Sequence, residues 1–279
     1  MRVIEVNKRE INPKDFVRRQ AVESDVDEIV KESCIIKHNG EIKCVYIVLP
    51  DESVPSDLLK AVKTVKYGKS NRSQGLVTRS RIFGYMPRET MRKDYCSSTA
   101  MVRDYPIQHQ IICNFASNLA EQYKKHCPEM YEMHNQMVEQ QVKPDWVIKN
   151  SPFTSGIINK NNPLNYHFDN GNFSNVYSNM LAFKHNCKGG YLVMPEYNIG
   201  LEIANNSVTF FDGQKILHGV TPFNLTSLDG YRYTLVYYSL KRMWQCLEPK
   251  EEIDRIKQVK SDREYRRYER LKGKIPNEI

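Results

Sequence analysis

The chain has 279 residues, 40% hydrophobic and 27% charged, with a formal net charge of +8 and a sequence pI of about 9.0. That composition excludes a collagenous, low-complexity or largely disordered chain and allows one large or two modest domains with a real core. The basic balance suits a polyanionic partner without requiring one.

Cysteines stand at 34, 44, 96, 113, 127, 187 and 246. None forms a C-x-x-C pair, so no structural zinc is expected, and the odd count and irregular spacing suit buried or free thiols in a reducing compartment. The first twenty residues are charged, without the apolar core of a secretory signal, and no run is long enough to span a membrane. The expectation is a soluble intracellular protein, in the cytoplasm of a microbe or virus-infected host cell, or in a nucleus.

Residues 1–70 read as a mixed α/β extension. Cys34–Lys37 and Lys43–Leu49 are apolar runs separated by His38-Asn39-Gly40-Glu41, a strong hairpin signal. Residues 55–66 read as a short helix, with Leu58, Leu59, Val62 and Val65 at helical spacing and Pro55 near its start. Residues 68–104 are rich in Gly, Ser and Arg. Within them Arg79, Arg81 and Arg88 interleave with Phe83 and Tyr85, a pattern that can hold phosphates and bases or can be a structured loop with solvated or paired arginines. Residues 106–141 are the clearest helical region. Ile107, Ile111, Phe115, Leu119 and Tyr123 share a face, and Pro128 starts a second segment. His109, His126 and His134 lie there as surface or packed histidines, none having a partner at ligand spacing.

From 153 onward short strand-like runs alternate with turn residues. Strands are expected near 153–159, 177–184, 190–194, 199–204, 207–211, 215–220 and 231–240. With helices gathered before them, the fold class is α+β around a double-stranded β-helix, or jelly-roll, core. Residues 248–279 form a basic, charged tail expected to be helical. Ile253, Ile256, Tyr265, Tyr268 and Leu271 give it a thin apolar stripe, and its arginines suit either a solvated face or a DNA backbone.

The chemistry centres on His167-x-Asp169. In a strand, residues two apart face the same side, so imidazole and carboxylate converge. His218, in Leu217-His218-Gly219-Val220, supplies a third ligand. Two histidines and a carboxylate leave metal positions open, as in the facial triad of non-haem Fe(II) oxygenases. Arg232 follows fourteen residues after His218, with Thr234 on the same side of its strand. A guanidinium and a neighbouring hydroxyl suit the distal carboxylate of 2-oxoglutarate, whose other end would chelate the iron.

The segment resembles the TET/JBP family of 2-oxoglutarate- and Fe(II)-dependent dioxygenases, which oxidise the 5-methyl group of pyrimidine bases in nucleic acid. The matching residues are Phe153-Thr154-Ser155 with Asn159-Lys160-Asn161, His167 to Phe173, Gly189-Gly190, Met194-Pro195-Glu196, Phe210-Phe211-Asp212, Leu217 to Pro222, and Arg232 to Tyr238, with a weaker element at Phe83 to Arg88. The resemblance implies a dioxygenase domain over 71–247, its β-helix core at about 150–241, between the extension 1–70 and the tail 248–279. It implies iron on His167, Asp169 and His218, 2-oxoglutarate on Arg232 and Thr234, and a flipped or single-stranded base between Asn172 and Tyr238. The implied reaction consumes O2 and 2-oxoglutarate, releases succinate and carbon dioxide, and leaves a 5-hydroxymethyl base; ascorbate is an expected supporting reductant. Animal TET members carry a cytosine-contacting histidine where this chain has Leu240. The His-x-Asp-x-Gly-Asn-Phe run is also closer to the JBP side, so thymine, giving 5-hydroxymethyluracil, is favoured over 5-methylcytosine, giving 5-hydroxymethylcytosine. A monomer acting on DNA is expected, with no membrane partner. The alternatives are a dioxygenase of the same fold acting on a protein side chain, of prolyl or lysyl type, or on a small molecule, and a non-catalytic nucleic-acid-binding module.

Overall fold

The computed structural model describes residues 1–71, 77–89 and 93–272; parts of the Gly-, Ser- and Arg-rich stretch at 72–76 and 90–92, and the end of the basic tail at 273–279, lie outside the described residues. One large sheet runs through neighbouring strands Arg2–Glu5, Cys34–His38, Glu41–Val48, Ser207–Phe211, Ser178–His185, Tyr231–Tyr238, Ser155–Lys160, Val77–Met86 and Gly68–Asn71, with Ser97–Ser98 paired beside Val77–Met86. A smaller sheet joins Gly219–Val220, Leu192–Met194, Ile199–Leu201 and Glu28–Val30, and Cys187–Gly189 pairs with Phe223–Leu225. Side chains of both main sheets share one core: Ile36, Tyr46 and Phe211 pack with Leu192, Met194, Ile199 and Leu201. This is the expected α+β jelly roll.

The N-terminal extension is built into these sheets. The hairpin forms as Cys34–His38 and Glu41–Val48, turning on Asn39 and Gly40, whose φ values of 53° and 78° match the turn that Asn-Gly favours. Glu41–Val48 then pairs with Ser207–Phe211, and Glu28–Val30 adds a parallel edge to the small sheet.

The other face of the large sheet is covered by helices. Ser56–Thr64, Pro106–Asn114 and Ala116–His126 bury Leu58, Val62, Ile112, Leu119 and Tyr123 against Val45, Leu181, Phe210, Leu235 and Tyr237. Burying such side chains stabilises by about 1.5–3 kcal/mol each. The expected helical face is corrected at one end: Ile107 is exposed, because the helix breaks at Phe115 and the buried side turns to Ile112. The strand expected over 215–220 shortens to Gly219–Val220. The N–H of Leu217 donates to the buried carboxylate of Glu196 at 3.1 Å instead of to a neighbouring strand.

The C-terminal helix Pro249–Leu271 forms, but not on its apolar stripe: Ile253, Tyr265 and Tyr268 are exposed. Its anchor is Glu252, which is buried and accepts from Arg88 at 2.8 Å and from the N–H groups of Cys96 and Leu247. Arg255 adds a pair with Asp94 at 2.7 Å. Nearby, Cys96 and Cys246 form a disulfide, which corrects the expectation of thiols alone; the two positions are 150 residues apart, a separation no local spacing rule can read. The other five cysteines are free. Among the described residues no helix is long and apolar enough to cross a membrane.

His134 is a packed histidine. Its Nε2 lies 2.9 Å from Ser239 Oγ, whose own proton goes to the Pro152 carbonyl. The ring is therefore the neutral Nε2–H form, with Nδ1 buried and unpartnered. Burial pushes its pKa down to about 3 from 6.5. The unfolded chain therefore holds more protons between those values, and stability is lost as pH falls from about 6.5 towards 3. His134→Gln should flatten the fall of the urea midpoint between about pH 6.5 and 5; an unchanged slope would assign that titration to other groups.

Candidate metal centre and substrate cavity

Residues 165–173 form an arm outside the strands, with isolated bridges from His167 to His218 and from Asn172 to Leu240. The arm is fixed along its length by main-chain bonds. His167 and His218 exchange N–H···O bonds of 2.9 and 3.2 Å, and Asp169 N–H donates to Gly213 O at 2.8 Å. Phe173 N–H donates to Ser239 O at 2.8 Å, and Lys241 N–H to Gly171 O at 2.9 Å. The convergence expected of a strand is therefore obtained by a different route.

Three side chains meet where the arm passes His218. Asp169 Oδ1 lies 3.8 Å from His167 Nε2 and 4.0 Å from His218 Nε2, and one donor atom from each residue fits within 4.8 Å of the others. Each ring has its Nδ1 beside a backbone carbonyl, Asn165 O at 2.7 Å and Ile216 O at 2.9 Å. An Nδ1–H donated to each carbonyl leaves the Nε2 lone pair of each ring free to face Asp169, the arrangement metal-binding histidines use. Gly213 makes room for the carboxylate: a Cβ there would sit 2.2 Å from Asp169 Oδ2. Two imidazoles and one carboxylate beside an open cavity fit a non-haem Fe(II) ion.

The cavity has a volume of about 490 Å³. Strand Tyr231–Tyr238 supplies its back wall by simple alternation. Arg232, Thr234, Val236 and Tyr238 face the cavity, while Tyr233, Leu235 and Tyr237 face the helices. Arg232 is buried, and its Nε has no hydrogen-bond partner; among the described residues its guanidinium makes one hydrogen bond, a long one of 3.5 Å from Nη2 to Gly190 O. Desolvation pushes its pKa down to about 10. A buried guanidinium so poorly satisfied is costly by itself and complementary to a bound carboxylate.

Two residues without an expected role complete this end. Asn159 Nδ2 donates to Thr234 Oγ1 at 3.3 Å, leaving the hydroxyl proton available to a ligand. Asn162 holds Asn159 Oδ1 at 3.2 Å and pairs with both the N–H and C=O of Arg79. Asn159 sits in a quoted family match, yet its orienting role needed the pairing of Ser155–Lys160 with Tyr231–Tyr238.

At the other end lie Asn172, Tyr238 and Leu240, all lining the same cavity. Asn172 is buried and lies 3.1 Å from Ser178 Oγ, a contact the sequence did not reveal. Of the arginines in 79–88, Arg81, on strand Val77–Met86, pairs with Asp104, and Arg88, just beyond that strand, pairs with Glu252, so the carboxylate-paired reading holds for these two.

This fold and this site define a 2-oxoglutarate-dependent Fe(II) dioxygenase. A family model described as the oxygenase domain of the 2OGFeDO superfamily, of Tet/JBP type, matches residues 85–241, more than half the chain, and the protein belongs to that family. Its fold is similar to that of NgTET1, solved in complex with 5mC DNA: TM-score 0.58, 17% identity, over 82% of this chain and 88% of that one. A 2OG-Fe(II) oxygenase family oxidoreductase from Burkholderia pseudomallei matches at TM-score 0.46 and 10% identity, over 87% of this chain and 100% of that one. No curated protein matches the sequence.

Gly213→Ala should weaken Fe(II) binding by tenfold or more, the scale of disturbing a ligand's support (about 10- to 100-fold). Titration of the metal-free protein with Fe(II) measures this; unchanged affinity would show that Asp169 does not depend on that space.

Proposed function

We propose that the protein hydroxylates the 5-methyl group of a pyrimidine base in DNA, with thymine favoured over 5-methylcytosine. The observation that supports this most is the single cavity shared by the His167, Asp169 and His218 triad, the Arg232 and Thr234 end, and the Asn172 and Tyr238 pair. In this reading His167, Asp169 and His218 hold the iron, and Arg232 with Thr234 holds the distal carboxylate of 2-oxoglutarate. The bound metal and cosubstrate supply O2 activation, with succinate and carbon dioxide as coproducts and ascorbate as a supporting reductant. The chain's own part is to bind, orient and keep water out.

Asn172 and Tyr238 are the groups we assign to the base. Tyr238 offers a ring face on which any pyrimidine can stack, and Asn172 a hydrogen-bonding edge. Leu240 offers the base no hydrogen bond. The contact that animal TET members make to cytosine from a histidine at this position is therefore absent, and this favours thymine. The buried cation of Arg232 explains why a dicarboxylate would be retained there. The basic tail helix, with exposed Arg266 and Arg267, extends the positive surface available to DNA.

The deciding experiment incubates the protein with Fe(II), 2-oxoglutarate, ascorbate and DNAs that differ only in thymine or 5-methylcytosine content, with nucleosides read by mass spectrometry. 5-Hydroxymethyluracil should form and depend on His167 and Asp169; turnover of a peptide with no modified nucleoside would reverse the assignment. Tyr238→Ala should lower hydroxymethyl product at least tenfold while uncoupled decarboxylation of 2-oxoglutarate falls far less (stacking is worth about 1–3 kcal/mol per base). Equal losses in the two assays would remove Tyr238 from the base site.

A further inference from the structure

The cavity wall does not end at Leu240. The chain continues directly into a 3₁₀ turn, Lys241–Gln245, that no part of the site described above uses. The turn is held from below. Met243 is fully buried, Cys246 is tied to Cys96, and Lys241 N–H donates to Gly171 O, next to Asn172. Outward it presents Trp244, which is 48% exposed, with its ring 6.2 Å from the buried ring of Phe173. One part of the indole packs on Phe173, and the rest is left as an aromatic surface that a binding partner can cover.

The adjacent charges point the same way. Among the described residues neither Lys241 nor Arg242 makes a side-chain hydrogen bond or an ion pair. Arg81, Arg88 and Arg255, by contrast, are tied to Asp104, Glu252 and Asp94. Two unneutralised cations beside an exposed indole form a combination suited to a nucleic-acid strand: charge for phosphate, ring face for base. The position is also right. Trp244 lies six residues beyond Tyr238, within roughly 20 Å even if that stretch were extended, and the turn shortens the path.

We infer that the turn Lys241–Gln245 is a docking platform for the nucleic-acid strand on one side of the target base, with Trp244 stacking on a neighbouring base and Lys241 and Arg242 taking its phosphates. The inference rests on the reading of the substrate as a base in nucleic acid. It adds a second contact point outside the cavity, one or a few nucleotides from the base being oxidised.

Fluorescence anisotropy of the anaerobic, Fe(II)- and 2-oxoglutarate-loaded protein with a labelled thymine-containing oligonucleotide, single-stranded and duplex, tests it. Trp244→Ala should weaken binding about tenfold, and Trp244→Phe should recover most of that loss while Trp244→Leu does not (base–aromatic stacking of about 1–3 kcal/mol). The double variant Lys241→Gln, Arg242→Gln should reduce the slope of log affinity against log salt by about 2. If the wild type binds and every variant matches it in affinity and slope, the platform is wrong and the base-oxidation reading stands. If Trp244→Leu binds as well as Trp244→Phe, the ring does not stack and the platform is overturned. If the wild type binds neither form of the oligonucleotide, both readings fall. Variants that lose self-association in sedimentation while binding DNA normally would make the turn an interface between two copies, which also overturns it.

Discussion

Strand Tyr231–Tyr238 lies between Ser178–His185 and Ser155–Lys160, hydrogen-bonded to both, and its register divides its residues between two environments. Tyr233, Leu235 and Tyr237 enter the helix-covered core, while Arg232, Thr234, Val236 and Tyr238 enter the cavity. A slip of one residue would exchange the two sets, burying a guanidinium among aromatic rings and opening the core. The apolar side is therefore what fixes the polar side. The same packing that stabilises the sheet holds an arginine, a hydroxyl and a tyrosine in one row along the cavity.

Electrostatics then separates the two ends of that row. Arg232 is desolvated and underbonded, a state that costs stability until an anion arrives. Asn159 and Asn162 hold the neighbouring hydroxyl in position through a chain of neutral amides. The metal end is organised by backbone instead: carbonyls of Asn165 and Ile216 orient the rings, and Gly213 yields space to Asp169. Rigid main-chain bonds along the arm hold the three side chains and Asn172 in fixed relation.

The arm and the C-terminal segment support each other. Asn172 bridges to Leu240, Lys241 bonds Gly171, and the turn beyond is pinned by Met243 and the Cys96–Cys246 disulfide. Glu252 closes this region with three hydrogen bonds to residues distant in sequence or at the helix start. The tail helix is thus tied down at its first turns by Glu252, and it buries Glu269 near its other end, with Arg266 and Arg267 exposed between them.

By itself the sequence determined the elements with strong local signals. The Asn39-Gly40 hairpin, the helix after Pro55 and the alternation that puts Arg232 and Thr234 on one side follow from backbone preferences and period two, which act over a few residues. That His167, Asp169 and His218 come together was likewise legible, because few residue types can serve as metal ligands. Tertiary structure alone decided the rest. His167 and Asp169 converge without a strand, because His218 and Gly213 supply the pairing. Asn159, Asn162, Ser178 and Gly213 gain their roles from neighbours 3 to 83 residues away. The tail docks through a buried glutamate rather than its apolar stripe, and two cysteines 150 residues apart join. Such partners are chosen by packing and charge in space, and no local pattern in the chain records them.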